Sequence, residues 1–124
     1  MGIIWKGAIA ALISMGVTLA TLSLAQDRVA AAPDTKVLLE NNCVRVYYND
    51  MAVGEKVPMH SHPRYVVYAF KPFKTRVTLA DGTQRITEHK AGDVYWNEPT
   101  THSAENIGET DIHNLNVELK PGCN

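Results

Sequence analysis

The spacing of turn residues after position 35 limits what this chain can fold into. From there on, apolar residues alternate with polar ones or form short runs bounded by Gly, Pro, Asn and Asp, without a helical period. Asp81-Gly82, between two such runs, is typical of a hairpin turn. The run 65–70 is apolar throughout, which predicts a strand buried on both faces. About eight short strands predict an all-β sandwich or barrel, with strands at 36–40, 43–49, 65–70, 75–79, 83–87, 94–96, 100–107 and 111–119.

The first 25 residues differ in composition from the rest. Lys6 is the only charged residue before Asp27, and 7–25 is almost wholly apolar or small, ending in a small-x-small pattern at Ala25. This predicts a cleaved secretory signal and an exported protein, periplasmic or secreted. The run is also about long enough to span a bilayer, so an uncleaved membrane anchor is the alternative. The predicted organisation is a signal or anchor at 1–25, a tether at 26–35, one domain at 36–120 and a tail at 121–124.

Charge and cysteine content narrow the class of partners. The net charge is −1 and no basic run is present, which argues against a nucleic-acid partner. After signal cleavage, no membrane contact is expected. Cys43 and Cys123 are the two cysteines. In an exported protein they could form a disulfide, while two free thiols fit the sequence equally well, because sequence does not give the distance between them.

Three histidines form a candidate metal site. His60 and His62 are two residues apart on an extended segment, so their side chains point to the same side, with Cα atoms about 6.6 Å apart. Two such imidazoles can converge on one cation, with bonds of about 2.1 Å. His102, in a later strand-like stretch, could complete the set. Three neutral imidazoles suit a divalent transition metal such as Fe, Mn, Ni, Cu or Zn and leave open coordination positions, as a catalytic site requires.

The segments that carry these histidines resemble the two sequence motifs of the cupins. The first motif, Gly, five residues and His-x-His, is matched by GEKVPMHSH at 54–62. The second is matched in outline by GDVYWNEPTTHSAEN at 92–106, through Gly92, Pro99, His102 and Asn106. The resemblance, which is greatest to short single-domain cupins including ones named for β-alanine degradation, implies a double-stranded β-helix, or jelly-roll barrel, after the leader. It also implies a homodimer, because cupins often pair by strand exchange.

The sequence departs from the cupin pattern at two points. The glutamate expected after His-x-His is missing, with Tyr65 or Val66 in its place and no carboxylate before Asp81. The second motif is one residue shorter, and Thr101 replaces its internal glycine. A site of three histidines is therefore expected, similar by analogy to that of the thiol dioxygenases of this superfamily. Tyr65 is a candidate catalytic residue that would hydrogen-bond a bound water or substrate, with core packing as the alternative.

Further residues are candidates for the surroundings of the metal. Asn106, four residues beyond His102, could orient a ligand or make a strand-end hydrogen bond. Tyr95 could line a substrate pocket or belong to the core. His113 shares an apolar face with its neighbours and is interpreted as a core residue, and His89 as a solvated one. Arginines able to pair an anionic substrate are Arg45, Arg64 and Arg76, with Arg64 beside the histidines.

Together these features predict a metal-binding cupin that acts on a small polar or anionic molecule. As an enzyme it would be a metal-dependent oxidoreductase resembling a dioxygenase. An isomerase is less favoured, because no general base is evident near the histidines. A non-catalytic cupin module that binds a small ligand or a metal is the alternative, and a barrel with an idle pocket is a third interpretation.

Overall fold

The structure, a computed structural model, describes residues 36–123. The predicted signal segment, the tether and Asn124 lie outside the described residues. Within the described range the chain forms nine β-strands and no helix, so the all-β prediction is confirmed. The strands are β1 (Val37–Glu40), β2 (Val44–Met51), β3 (Lys56–His62), β4 (Arg64–Ala69), β5 (Phe73–Leu79), β6 (Gln84–His89), β7 (Val94–Asn97), β8 (Thr100–Asn106) and β9 (Ile112–Leu119).

The strands form two antiparallel sheets whose inner faces enclose a cavity. One sheet has the order β1-β2-β9-β4-β7 and the other the order β3-β8-β5-β6. The long strand β9 pairs with β2 on one side and with β4 on the other, which makes it the centre of the five-stranded sheet. In the four-stranded sheet β3 and β8 are neighbours, and these are the strands that carry the three candidate histidines.

The turn before β3 is held against the end of β8. Gly54 has φ of 80°, a left-handed conformation that glycine adopts at no steric cost. Its N–H donates to the carbonyl of Asn106, whose own N–H donates to the carbonyl of Glu55. These bonds set where β3 starts beside β8, and so where its histidines lie.

The buried face of β9 is the polar one. Its even positions Ile112, Asn114, Asn116 and Glu118 are at most 5% exposed. Its apolar odd positions point outward and are half-buried. The interpretation of His113 as a core residue is therefore wrong, since its side chain lies on the outer face, 34% exposed, and pairs with Asp50.

The outer face of the five-stranded sheet is apolar. Strand β4 buries Tyr65, Val67 and Ala69, but Tyr68 remains 39% exposed on the other side, so the strand predicted to be buried on both faces is buried on one. Trp96, on β7, is 50% exposed on that outer side. The outer face of the four-stranded sheet is polar by contrast and carries ion pairs, Lys74–Glu88 and Arg76–Glu105.

Cys43 and Cys123 form a disulfide in this structure, the pairing that the sequence left open. It joins the residue before β2 to the segment after β9, across a sequence separation of 80 residues. No helix that could cross a membrane is found among residues 36–123.

Candidate metal centre

The three candidate histidines meet on the inner face of the four-stranded sheet. His60 on β3 lies directly opposite His102 on β8, and His62 follows two residues later on the same side of β3. The ring centroids are 4.6 Å apart for His60–His62, 4.8 Å for His60–His102 and 5.2 Å for His62–His102. One nitrogen from each lies within 4.8 Å of the others. Two nitrogens bound to one ion are at most about 4.2 Å apart, so a small closing of the rings suffices for coordination.

Hydrogen bonds orient two of the rings. His60 Nδ1 lies 2.6 Å from the carbonyl oxygen of Pro58, and His62 Nδ1 lies 2.7 Å from Glu118 Oε1. In the neutral tautomer Nδ1–H donates to these acceptors, which leaves the lone pair of Nε2 free for a cation. Both imidazoles are thus held in the form that binds a metal.

The environments of His60 and His102 favour the neutral form of the imidazole. Burial lowers the pKa of His60 below its usual 6.5. Burial, followed by the charges of His60 and His62, lowers the pKa of His102 to about 3. Because a ligating imidazole must be unprotonated, these shifts reduce the competition between protons and a metal ion.

Glu118, which the sequence did not single out, is the carboxylate behind His62. It is 5% exposed and accepts hydrogen bonds from His62 Nδ1 and, at 3.2 Å, from the hydroxyl of Tyr47. Asn116 Nδ2 donates in turn to the Tyr47 hydroxyl at 3.2 Å. Glu118 therefore orients a candidate ligand from the side away from the cation. The signal that could have identified it is its phase along β9, shared with Asn114 and Asn116.

Tyr65 lies next to the histidines, on the facing sheet. Its ring centroid is 4.7 Å from that of His62, and the residue is 6% exposed. Burial, and then the charge of Glu118, raise the pKa of Tyr65 to about 12, so its phenol remains un-ionised near neutral pH. It can donate a hydrogen bond to a bound molecule, and it also packs in the wall of the cavity.

The cavity between the sheets extends from the histidines toward the edge strands β6 and β7, with a volume of about 1110 Å³. Tyr95 lines it, with its ring stacked on that of His89 at 4.0 Å between centroids. Burial raises the pKa of Tyr95. The interpretation of His89 as solvated is therefore wrong. Its side chain is on the face of β6 that borders the cavity, where the ring is half-buried.

The arginines that the sequence suggested lie outside the cavity wall. Arg64 is on the outer side of β4, where its Nε donates to Glu98 at 3.2 Å. The guanidinium of Arg45 lies 5.4 Å from the ring centroid of Tyr47. Arg76 Nη1 donates to Glu105 at 2.7 Å on the outer face of the four-stranded sheet. The arginine that does line the cavity is Arg85, which the sequence interpretation had not chosen.

Asn106 serves the end of β8 and not the metal site. It is 1% exposed, and its Nδ2 donates to the carbonyls of Met51 and Thr110. Its Oδ1 accepts the N–H of Gly108 at 3.1 Å. With these bonds made to backbone, the residue holds the turn that follows β8, which is the strand-end hydrogen bonding that the sequence left as the alternative to orienting a ligand.

Solved structures with the same architecture identify the fold. A cupin domain from Bordetella pertussis Tohama I matches with a TM-score of 0.63 at 22% identity, over 69% of this chain and 91% of that one. An RmlC-like cupin with a double-stranded β-helix fold from Methanocaldococcus jannaschii matches with a TM-score of 0.56 at 18% identity, over 75% and 84%. An uncharacterized conserved protein with a double-stranded β-helix domain from Klebsiella pneumoniae matches with a TM-score of 0.56 at 25% identity, over 71% and 76%.

No protein-family model and no curated protein sequence matches the chain. The structural matches nevertheless agree on one architecture. The chain has the cupin fold, a double-stranded β-helix, and the cupin resemblance predicted from its sequence is confirmed. Within that fold, three histidines form a group that could bind a metal ion.

Proposed function

We propose that this protein binds one divalent transition metal through His60, His62 and His102 and uses it in an oxidoreductase reaction of the dioxygenase type on a small polar molecule. The observation that carries the proposal is the convergence of the three imidazoles, with ligand atoms within 4.8 Å of one another. Burial of His60 and His102 supports it because burial favours the neutral imidazole. The hydrogen bonds from Nδ1 of His60 and His62 support it because they orient the rings.

The donor set fits such a metal. Imidazole nitrogens suit Fe, Mn, Ni, Cu and Zn, whereas Mg²⁺ and Ca²⁺ prefer oxygen ligands. Three protein ligands leave positions open for a substrate. When bound, the ion would polarise a ligand at these positions or, if redox-active, activate O₂. Its identity is left open by the donor set.

The residues around the histidines favour an oxygenase over an isomerase. Isomerisation by proton transfer needs a group that takes up a proton near neutral pH. Among the described residues, no carboxylate joins the histidine group. Tyr65 keeps its proton, and Glu118 already accepts hydrogen bonds from His62 and Tyr47. The chain's own side chains would thus hold, orient and shield a ligand without exchanging protons with it.

The same lack of a proton-transfer group favours a second function, a module that captures a ligand or a metal without turnover. In either case we propose that the protein works outside the cytoplasm. The disulfide between Cys43 and Cys123 supports that location, since disulfides persist in oxidising compartments. The apolar composition of residues 7–25 supports it as well.

Anaerobic loading with Fe(II), followed by addition of O₂ and a small thiol or carboxylate, separates these functions. Iron-dependent O₂ uptake that requires the added molecule is expected for the oxygenase. Tight metal binding without uptake would assign the binding module, and failure to retain any metal would reject both. His102→Ala should abolish uptake, whereas His89→Ala, a histidine of the cavity wall outside the group, should keep its metal.

A further inference from the structure

The cavity has a cationic group that faces the metal site from the other end of the four-stranded sheet. Along the edge strand β6, Arg85 alternates in phase with Thr87 and His89, and all three line the cavity. Ile86, out of phase with them, is 60% exposed on the outer side. Arg85 therefore lies on the inner face of its strand, exposed to solvent at the open edge of the sheet.

Arg85 has no ion pair with any carboxylate of residues 36–123. Of the other arginines of this range, Arg64 pairs with Glu98 and Arg76 with Glu105, whereas Arg45 lies over the ring of Tyr47 and does not line the cavity. The acid nearest in sequence, Asp81, accepts the backbone N–H of Thr83, and it interacts with Arg85 through charge alone, without an ion pair. An arginine that lines a cavity and is not paired is available for an anion.

The strand register shows how far this arginine is from the histidines. His102 pairs with Leu79, and Val77, two residues earlier on β5, pairs with Arg85. Two strand spacings of about 4.8 Å and two residues of about 3.3 Å put the Cα atoms of His102 and Arg85 about 12 Å apart. Both side chains point into the cavity and shorten this gap, so a short molecule can contact both ends. The side chains of Val77 and Leu79 form an apolar strip between them.

A second donor faces the same space from the opposite sheet. Asn97 lines the cavity from β7, and its Nδ2 is buried without a hydrogen-bond partner among the described residues. A buried amide N–H without a partner is costly, and an acceptor on a bound molecule would remove that cost. Arg85 and Asn97 thus each present a hydrogen-bond donor that an anion could occupy.

We propose that Arg85 determines ligand specificity by binding the carboxylate of a short molecule whose other end coordinates the metal. The inference rests on the proposed metal site and adds the substrate class, a small carboxylic acid with a separate metal-binding group. The planar guanidinium can accept such a carboxylate in a bidentate pair. Arg85 replaces Arg45, Arg64 and Arg76, the arginines that the sequence suggested for this role.

Two probes of the same shape test this. Nicotinate and nicotinamide share a pyridine nitrogen that can bind a metal, and they differ by a carboxylate against a neutral amide. Cobalt-loaded protein is titrated with each by calorimetry, after its visible spectrum has verified that the metal is bound. Nicotinate should bind at least tenfold more tightly than nicotinamide. Arg85→Gln should lose this preference and keep the cobalt spectrum, and Arg64→Gln, which changes an arginine outside the cavity, should keep both.

Three other results would overturn the inference. A preference that survives in Arg85→Gln would assign the discrimination to the metal itself. Equal or undetectable binding of both probes to cobalt-loaded wild-type protein would show that the cavity does not select a carboxylate, while leaving the metal site intact. Failure of the wild-type protein to take up cobalt would refute the proposed metal site, and this inference with it.

Discussion

Replacing Glu118 with glutamine tests whether the carboxylate behind His62 strengthens the metal site. Glutamine keeps the volume of this buried side chain and an oxygen that can accept from Nδ1, so it changes little except the charge. The present bond, at 2.7 Å and with both groups at most 7% exposed, is charge-assisted in the carboxylate form. Hydrogen bonds to a charged group contribute about 1.5–3 kcal/mol, against about 1 kcal/mol for neutral ones.

The substitution should therefore cost about 1–2 kcal/mol of metal-binding free energy, roughly a five- to thirtyfold loss of affinity. That agrees with the effect of about 10–100-fold that partners of metal-bound histidines generally have. Competition for Zn²⁺ against a chromophoric chelator at constant pH measures it directly. Thermal unfolding of the metal-free variant verifies that the fold is kept.

Glu105→Gln is the matched control. Glu105 lies on β8, three residues after His102, but on the outer face, where it pairs with Arg76. Its loss should leave Zn²⁺ affinity unchanged. If Glu118→Gln binds Zn²⁺ as tightly as wild type, or if Glu105→Gln weakens binding equally, the argument about the carboxylate behind His62 is refuted.

Three further predictions concern assembly, ionisation and the disulfide. The homodimer expected from the cupin resemblance stays a prediction, and the exposed apolar side of the five-stranded sheet supports it. In sedimentation, Trp96→Glu should convert the dimer to a monomer. Ile86→Glu, on the polar side of the other sheet, should leave the dimer intact. Sedimentation of the wild type as a monomer would contradict it. The pKa of Tyr65 is about 12 in the folded state and 10.0 in the unfolded chain, so the unfolded state loses this proton first as the pH rises. The stability that the protonated phenol contributes is therefore complete below pH 10 and is lost as the pH rises toward 12. Between pH 9 and pH 11, the unfolding free energy of Tyr65→Phe, measured with denaturant, should therefore fall by about 1 kcal/mol less than that of wild type. Equal losses of unfolding free energy would refute the raised pKa. Reduction of the disulfide should lower the unfolding free energy by about 2–5 kcal/mol, because the disulfide closes a long loop. Cys43→Ser should lose as much unfolding free energy and should no longer respond to reductant. An unchanged melting temperature on reduction would show that the disulfide contributes nothing to stability.

The fold and the histidines could be predicted because both depend on short-range patterns. The period of two along a strand puts His60 and His62 on one side, and turn residues mark where strands end. The pairing of His102 with them needed the cupin resemblance, since no local pattern brings β8 beside β3.

The surroundings of the site could not be predicted in the same way. Glu118 reaches His62 across 56 residues of sequence, and only the order of strands in the sheet brings them together. The alternation along β9 was visible, but hydrophobicity favoured the wrong face. The polar even positions Asn114 and Asn116 border the cavity, whereas apolar odd positions such as Leu115 and Val117 lie on the outside of the sheet.

The arginines show the same limit. A charged residue on a strand can face water or a cavity, and composition does not tell which. Arg64 seemed favourable because it follows the histidines in sequence, yet the chain passes from β3 in one sheet to β4 in the other between them. Arg85, which is 17 residues before His102, comes to the same sheet because β5 pairs with β8 and β6 pairs with β5.

X-ray absorption of the bound ion tests the central claim most directly. For protein loaded with one equivalent of Zn²⁺ or Co²⁺, the account predicts scattering from three imidazole rings with metal–nitrogen distances of about 2.0–2.1 Å, reduced to two rings in His102→Ala. A spectrum with oxygen ligands alone, or one that is the same in His102→Ala as in wild type, would contradict it.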